Sequence, residues 1–454
     1  MHDVAVIGLG PVGATLARLL RQEGLDVLAL EREAAIYPLP RAVHFDAEAM
    51  RVFQGLGLAD AILPLTHVSP GMRFVAPDGA LLLDWPRPTG IGPLGWHASY
   101  RFHQPELEAV LRDGLAWEQA EVTGIEEGAA GVVLHTPAGP RRARFAVGCD
   151  GANSPTRAAI GGGTEDLGFA ERWLVVDLLL SRPAPHLPDH SIQFCDPRRP
   201  ATYVRGTGAR RRFEIRLEEG EAPTDPWPLL ARWLTPADAV LERQAIYTFR
   251  SVVARRWRAG RLLIAGDAAH LTPPFLGQGL CAGIRDAANL AWRLGRVLRG
   301  AAPDALLDAY GAERAPHVRE FIATAVRLGG LINTRAMAAA LAGAPEEGPA
   351  LMATPAPRLG GFAPPLGVPA PQPVLANGRR HDDHVGPRFA AWLHGGRDVA
   401  PAVLDALAAR GCVLVQDPAL DAILDGHGAA CALVRPDRIL CALGDDPAAL
   451  LDHL

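Results

Sequence analysis

The first thirty residues alternate between short apolar runs and one amphipathic segment. Residues 3–8 form an apolar run, residues 11–24 carry apolar side chains at helical spacing, and residues 26–31 form a second apolar run. Apolar residues three and four positions apart share one helix face, whereas short unbroken apolar runs are typical of buried strands. The pattern therefore predicts a strand, a helix and a second strand parallel to the first.

Later segments are delimited by capping residues, turns and breakers. Asp46 can cap a helix that ends near Gly57, and two pairs of β-like runs flank Pro77-Asp78-Gly79 and Pro137-Ala138-Gly139 as hairpins. Short β-like runs dominate residues 171–253, which predicts an inserted, mostly antiparallel sheet. Helical patterns cover residues 104–115, 279–299 and 303–328, and strand patterns in the tail cover residues 411–416, 429–435 and 439–442.

Composition narrows the classes of function. The 454 residues are 49% apolar with a formal net charge of −5, so the chain can bury large cores but offers no basic field for nucleic acid. The chain contains no lysine, which excludes a Schiff-base lysine and a phosphate-loop lysine. No apolar run is long enough to span a bilayer, and none of the six cysteines forms a CxxC pair. We therefore expect reduced thiols, no metal site, no membrane span and a cytoplasmic location.

A glycine-rich segment between the first predicted strand and helix reads Gly8-Leu9-Gly10-Pro11-Val12-Gly13. Gly8 permits a tight turn, Gly10 lets the backbone approach a pyrophosphate, and Gly13 allows the helix to pack closely on the strand. The helix N-terminus adds N–H groups and partial positive charge. Glu31 ends the second strand, where a ribose hydroxyl would lie. Together these features predict a dinucleotide site; the alternative is a glycine-rich turn without a ligand.

Two later segments carry side chains suited to a nucleotide. Asp267 follows a buried-strand pattern, and its carboxylate can accept hydrogen bonds from ribose or ribityl hydroxyls. The loop after it enters a helix near Gly279, whose N-terminus favours negative charge. The other segment follows a strand and by itself indicates only a turn and a solvated arginine. The two segments read Gly266-Asp267-Ala268-Ala269-His270 with Pro273-Pro274 and Gly277-Gln278-Gly279, and Cys149-Asp150-Gly151-Ala152-Asn153-Ser154-Pro155-Thr156-Arg157.

These three segments, in this order, resemble the single-component FAD-dependent aromatic hydroxylases, which have the para-hydroxybenzoate hydroxylase fold. The resemblance covers about residues 1–330, and two further segments resemble the branch that acts on 3-(3-hydroxyphenyl)propionate and related phenols. Those segments are Arg41-Ala42-Val43-His44-Phe45-Asp46 and Phe102-His103-Gln104-Pro105-Glu106-Leu107. The resemblance implies an α/β fold, in which a three-layer, Rossmann-like FAD-binding domain carries an inserted, mostly antiparallel β-sheet domain for the substrate.

The resemblance also implies a monooxygenase reaction. NADH or NADPH would reduce FAD as a transient co-substrate, O2 would add at flavin C4a, and the hydroperoxide would transfer a hydroxyl group to an electron-rich aromatic ring. A base or water chain must take the phenol proton, and the sequence does not identify it. Because arginine is abundant, we expect a phenol with an acidic or polar side chain. Tyr203 and Arg205 share a strand face and are equally interpreted as anchors for it or as exposed positions.

The residues that the resemblance assigns to the cofactor are spread over the whole FAD-binding part. The family often has Asn at position 281, and we expect the backbone N–H there to act instead of the cysteine side chain. The nicotinamide cofactor is expected near Arg41 and Asp150-Gly151. The cofactor residues are Gly8, Gly10, Pro11, Val12, Gly13, Glu31, Arg32, Arg41, Gln104, Val122, Asp150, Gly151, Asp267, Pro274, Gly277, Gly279, Leu280 and Cys281.

The domain boundaries follow from the same patterns and resemblance. We predict an FAD-binding domain over 1–170 and 254–342, a substrate domain over 171–253, a linker over 343–374 and a thioredoxin-like C-terminal domain over 375–454. The segment Leu433-Val434-Arg435-Pro436-Asp437-Arg438 resembles the tail of that branch, which usually lacks the redox CxxC. The sequence is also compatible with a homodimer.

Other functions remain open at this point. One alternative is a Baeyer–Villiger or epoxidising flavin monooxygenase that acts on a polyketide-like substrate, because the cofactor segments do not separate it from a phenol hydroxylase. An alternative of another class is a protein that binds FAD without turnover. A flavin halogenase is disfavoured, because those enzymes rely on an active-site lysine and this chain has none.

Overall fold

The computed structural model describes residues 1–332 and 358–454, so residues 343–357 of the predicted linker lie outside the described residues. The predicted helices at residues 47, 104, 279 and 303 onwards are present. Among the described residues, no helix combines the length and apolar character that crossing a membrane requires. The α-helices are Pro11–Gln22, Ala47–Gly55, Ala59–Ile62, Gln104–Arg112, Pro155–Ile160, Trp227–Leu230, Gly279–Leu298, Asp308–Ile332, His381–Val385, Pro401–Ala409 and Pro418–Gly426, and the 3₁₀ segments are Leu63–Leu65, Gly266–Ala268, Pro274–Leu276, Asp304–Leu307 and Pro447–His453.

The first eight-stranded sheet contains the N-terminal strand. This strand pairs in parallel with its neighbours on both sides, as the strand–helix–strand pattern predicted for one of them. Parallel strands are covered on both faces, which is why the inner strands are nearly unbroken apolar runs. The strand order is Arg258–Ala259, Leu262–Ile264, Arg141–Gly148, His2–Ile7, Val27–Glu31 and Glu118–Gln119, with the hairpin Gly124–Gly128 and Gly131–His135 beside Arg141–Gly148.

The second eight-stranded sheet confirms the predicted inserted sheet. It is antiparallel except where Ser191–Phe194 runs parallel to Gly71–Val75. The hairpin Gly71–Val75 and Leu81–Pro86 joins this sheet from the first segment of the chain, outside residues 171–253. The strand order is His270–Leu271, Ala239–Ala254, Thr164–Leu180, Arg210–Arg216, Ala201–Arg205, Ser191–Phe194, Gly71–Val75 and Leu81–Pro86.

A small antiparallel sheet includes the end of the Arg41 segment. Its central strand, Ser99–Phe102, pairs with His44–Asp46 on one side and Thr66–Val68 on the other. The stacked rings of Phe45 and Tyr100, 5.2 Å apart between centroids, are buried in the main core. This sheet therefore fixes the ends of two segments that carry predicted site residues.

The C-terminal part contains a four-stranded sheet in the order Val413–Val415, Ala390–Leu393, Cys431–Val434 and Leu440–Gly444. The first pair is parallel and the other pairs are antiparallel. Buried ion pairs join this unit to the preceding part of the chain: Arg51 Nη2 lies 2.9 Å from Asp382 Oδ1, and Arg435 Nη1 lies 2.8 Å from Glu313 Oε1. The thioredoxin-like assignment stays a prediction.

Candidate functional site

The glycines of the first turn have different steric roles. Gly8 has φ +91°, and a Cβ there would lie 2.6 Å from the carbonyl oxygen of Cys149. A Cβ at Gly13 would lie 1.9 Å from the carbonyl oxygen of Gly8, so both positions require glycine for packing. A Cβ at Gly10 meets nothing within 4 Å. The turn therefore presents an open backbone surface at Gly10, directly before the helix.

The helix Pro11–Gln22 begins without a side-chain cap. Its N-terminal N–H groups carry partial positive charge and lack intrahelical partners. Arg112 donates from Nε to the carbonyl oxygen of Leu9 at 2.8 Å, and its Nη1 is buried without a partner among the described residues. Glu31 accepts from the Leu9 N–H at 2.7 Å and from the Glu33 N–H at 3.0 Å. An uncapped helix end beside a guanidinium whose Nη1 lacks a partner fits a phosphate group.

The Asp150 segment forms a capped helix. Asp150 Oδ2 accepts from the Thr156 backbone N–H at 3.0 Å and its hydroxyl at 2.7 Å, and Ser154 Oγ accepts from the Arg157 N–H at 2.9 Å. Arg157 is not a free surface charge, because its Nη1 donates to the carbonyl oxygen of Ala268 at 2.9 Å. The Asp150 and Asp267 segments are therefore tied together.

Asp267 lies on the wall of a cavity. It follows Gly266, whose φ of +62° turns the chain after the strand Leu262–Ile264. The Asp267 side chain is exposed to the cavity and makes no hydrogen bond to any described residue. Desolvation by the surrounding protein raises its pKa, while His270 and Arg41 oppose that shift. A carboxylate with free acceptors facing a cavity suits hydroxyl donors.

A buried charge cluster supports the Asp267 loop, and sequence reasoning missed it. Asp286 accepts from the Gly266 N–H at 3.0 Å, from Arg314 Nε at 2.8 Å, and lies 2.7 Å from His270 Nε2. Burial opposes ionisation of Asp286, but Arg314 and His270 lower its pKa. The available signal was an acidic residue on the buried face of the helix Gly279–Leu298.

Gln104 positions the Arg41 segment. Its Oε1 accepts from the backbone N–H groups of Arg41 at 3.0 Å and Ala42 at 2.7 Å, and its Nε2 donates to Glu108 at 2.7 Å. The Gln104 side chain is thus buried beneath the loop, whereas the Arg41 side chain is exposed and lines the cavity.

The remaining predicted site residues fall into three environments. Pro274, Gly277, Gly279 and Leu280 line the cavity. Cys281 is fully buried in the first turn of its helix, which begins without a side-chain cap. Outside the cavity, Arg32 is exposed and pairs with Glu33, and Val122 is buried in the main core. Pro11 and Val12 are half-buried, Val12 lies beside Gly266, and Gly151 has φ +80°.

The cavity has a volume of about 470 Å³ and connects the Asp267 loop to the second sheet. Apolar side chains including Met72, Trp85 and Phe249 line part of it. Polar side chains that sequence reasoning missed line the sheet side: Gln193, Thr202, Arg212, Glu214 and Arg243. The sequence signal for these five residues was strand alternation, which defines two faces of a strand but does not show which face contacts a ligand.

His44 joins the loop at Gly277 to the small antiparallel sheet that contains Ser99. Its Nδ1 lies 3.1 Å from the carbonyl oxygen of Gly277 and its Nε2 lies 2.8 Å from Ser99 Oγ. A carbonyl only accepts, so Nδ1 carries the hydrogen and Nε2 accepts from the Ser99 hydroxyl. Burial lowers the pKa of His44, which keeps the imidazole neutral.

Tyr203 and Arg205 are not cavity residues. Tyr203 is fully buried in the core on the opposite face of the sheet, and its hydroxyl donates to the carbonyl oxygen of Pro188 at 3.1 Å. Arg205 pairs with Asp189 at 2.9 Å. The interpretation as substrate anchors was wrong for both residues, because alternation places the opposite strand face toward the cavity. The interpretation as exposed positions was wrong for Tyr203, which is fully buried.

Similarity to known proteins places the chain in a family. The FAD binding domain profile matches residues 1–325. The protein named "Probable NADH-specific resorcinol 4-hydroxylase" of Rhodococcus jostii (strain RHA1) is 45% identical over 357 residues, which are 72% of this chain and 65% of that protein. A 3-(3-hydroxy-phenyl)propionate/3-hydroxycinnamic acid hydroxylase of Mycolicibacterium smegmatis is 38% identical over 349 residues, 73% of this chain and 61% of that protein. The chain thus matches somewhat less than two thirds of these relatives' length.

Solved structures share the fold over nearly the whole chain. The anhydrotetracycline hydroxylase OxyS of Streptomyces rimosus has a TM-score of 0.79 and 26% identity, covering 98% of this chain and 96% of that chain. Aklavinone-11 hydroxylase, solved with FAD and aklavinone, has a TM-score of 0.81 and 24% identity, covering 100% and 98%. The profile match agrees with the glycine turn, the helix ends and the Asp267 loop: this chain belongs to the FAD binding domain family.

Proposed function

We propose that this chain is an FAD-dependent monooxygenase that hydroxylates a small phenol with NADH and O2. One observation carries the proposal: a single cavity of about 470 Å³ extends from Asp267 and Gly279 to Thr202 and Glu214 on the second sheet. An aromatic ring held against that sheet shares a cavity with the cofactor loops, which hydroxylation of the ring requires.

The described residues fit FAD. Gly10 leaves room for a pyrophosphate in front of an uncapped helix, and Arg112 has an unsatisfied buried N–H beside it. Asp267 presents free carboxylate oxygens for hydroxyl groups, and the helix Gly279–Leu298 opens onto the cavity without a side-chain cap. Bound FAD would supply the redox chemistry, which is reduction by NADH followed by activation of O2.

The chain's own residues bind, orient and exclude water. The N-terminus of the helix Gly279–Leu298 favours negative charge placed before it. His44 donates to the Gly277 carbonyl, which holds the loop that precedes this helix. The apolar wall of Met72, Trp85 and Phe249 keeps water away from the ring site.

Three of the six arginines that line the cavity are engaged by protein groups. Arg212 Nε donates to Asp177 at 2.7 Å, Arg243 Nη1 donates to the carbonyl oxygen of Pro40 at 2.8 Å, and Arg101 Nη1 donates to the carbonyl oxygen of Asp189 at 2.5 Å. Their guanidinium groups are therefore engaged by protein. The name of the resorcinol relative favours a small hydroxylated ring as the first candidate. Arg41, Arg87 and Arg250 also line the cavity, so a phenol with an acidic side chain stays the second candidate. That relative's name also favours NADH over NADPH; a homodimer and a cytoplasmic location stay predictions.

The test is a substrate screen with the purified, FAD-loaded chain. Oxidation of NADH and of NADPH is followed with resorcinol, with 3-(3-hydroxyphenyl)propionate, with a cyclic ketone and with no substrate, and the products are identified by mass. We expect faster NADH oxidation with a phenol and a product with one additional oxygen on the ring. A ketone converted into an ester would instead establish the Baeyer–Villiger alternative. FAD binding without substrate-dependent oxidation would establish the non-catalytic alternative.

A further inference from the structure

Glu214 is a cavity carboxylate on the second sheet. It lies on the strand Arg210–Arg216, where Phe213 and Ile215 face the core and the alternate residues Arg212 and Glu214 line the cavity. Side chains alternate along a strand, so the apolar packing of Phe213 and Ile215 holds Glu214 on the cavity face. Glu214 is only 8% exposed.

No protein donor satisfies this carboxylate among the described residues. The nearest cation is Arg212, whose Nη1 lies 3.8 Å from Glu214 Oε1, beyond hydrogen-bond distance. Arg212 is committed elsewhere: its Nε donates to Asp177 at 2.7 Å and its Nη1 to the carbonyl oxygen of Arg41 at 2.8 Å. A buried carboxylate without a donor is costly, so this position favours a ligand that donates.

The cross-strand neighbours of Glu214 do not supply a donor either. Thr202 and Val175 lie opposite Glu214 on the two flanking strands. The Thr202 hydroxyl donates to Gln193 Oε1 at 2.7 Å, and Val175 has no polar side-chain atom. The Thr202 hydroxyl is therefore used by Gln193, and the Glu214 carboxylate faces the cavity with its acceptors free.

We propose that Glu214 accepts the hydrogen bond of the substrate's phenolic hydroxyl and takes its proton as the ring is hydroxylated. The phenolic O–H bond breaks, an O–H bond forms on the Glu214 carboxylate, and the electron pair stays on the phenol oxygen, where it enriches the ring. This transfer needs no oxidant or reductant of its own. The proposal rests on the proposed function and assigns the base that the sequence did not identify.

The electrostatic surroundings suit a base for a phenol. Burial raises the pKa of Glu214, Asp177 raises it further, and Arg212 and Arg243 oppose the shift. A carboxylate with a raised pKa is a stronger base than an exposed one. Glu214 must be ionised to accept the proton, so kcat/KM is expected to rise with pH as Glu214 deprotonates.

The experiment compares Glu214→Gln with Glu219→Gln, an exposed surface carboxylate without a hydrogen bond among the described residues. Binding of the phenol that the wild type hydroxylates, resorcinol first, and of its dimethyl ether is titrated on FAD-loaded protein. We expect Glu214→Gln to weaken phenol binding by about 10-fold or more. The ether donates no hydrogen bond, so its binding is expected to change little. The acid limb of the kcat/KM profile should disappear in Glu214→Gln and persist in Glu219→Gln.

The outcomes separate this proposal from the proposed function. Wild-type protein that hydroxylates no phenol refutes the proposed function itself. Wild-type hydroxylation with unchanged phenol binding and an unchanged pH profile in Glu214→Gln refutes only the role of Glu214. If Glu214→Gln does not retain FAD, Glu214→Asp is used. A reduced kcat/KM together with a kept preference for the phenol over the ether supports the proposal, and an unchanged kcat/KM overturns it.

Discussion

Gly10→Ala separates cofactor binding from folding in the first turn. Gly10 has φ −59° and ψ −178°, which alanine adopts without strain, and a Cβ there meets no protein atom within 4 Å. The added methyl group projects into the space where we place the pyrophosphate. We therefore expect a correctly folded protein with weakened FAD affinity.

The magnitude follows from the contacts that the methyl group would displace. A hydrogen bond to a charged group contributes about 1.5–3 kcal/mol, so losing one phosphate contact weakens FAD binding roughly 10–150-fold. Folding stability should change little, since Gly→Ala at a compatible position stabilises by about 0.4–1 kcal/mol. FAD affinity is measured by flavin fluorescence titration of the apoprotein, and stability by thermal unfolding without flavin.

Two further variants control the result. Gly55→Ala places a methyl group at another open position, at the end of the helix Ala47–Gly55, and should bind FAD normally. Gly13→Ala places its Cβ 1.9 Å from the carbonyl oxygen of Gly8 and should destabilise the turn itself. Wild-type FAD affinity in Gly10→Ala would refute the placement of the pyrophosphate at this turn.

Three other predictions follow from the site. Asp267→Ala should weaken FAD binding roughly 10–150-fold, because hydroxyl donors lose a charged acceptor; unchanged affinity in a flavin titration would reject Asp267 as a ligand. Replacing all six cysteines by Ala or Ser should preserve substantial turnover in FAD-loaded protein, since burial raises the pKa of Cys195 to about 12 and of Cys412 to about 11 and keeps the thiols protonated. NADH oxidation should rise about tenfold or more with the correct phenol, which needs roughly 1.4 kcal/mol of differential binding to the reactive state; equal rates with and without a confirmed substrate would contradict substrate control.

Local chemistry determined the elements that carry the cofactor turn. Glycine widens the range of φ at its own position and proline narrows it. The order of Gly8, Gly10, Pro11 and Gly13 therefore predicted the turn and the helix start. Asp46 was predicted to cap a helix, and it accepts from the Ala49 N–H at 3.1 Å. Such interactions span only a few residues, so the amino-acid sequence alone is sufficient to predict them.

The tertiary structure decided which side chains meet across long sequence separations. Sequence patterns could not pair Gln104 with the Arg41 segment, Asp286 with Arg314, or the hairpin at residues 71–86 with the second sheet. Strand alternation defined two faces for residues 210–216, but only the packing of the sheets turned Glu214 toward the cavity and its neighbours into the core. Periodicity records which residues share a face, whereas what that face contacts depends on how distant segments bury their apolar surfaces together.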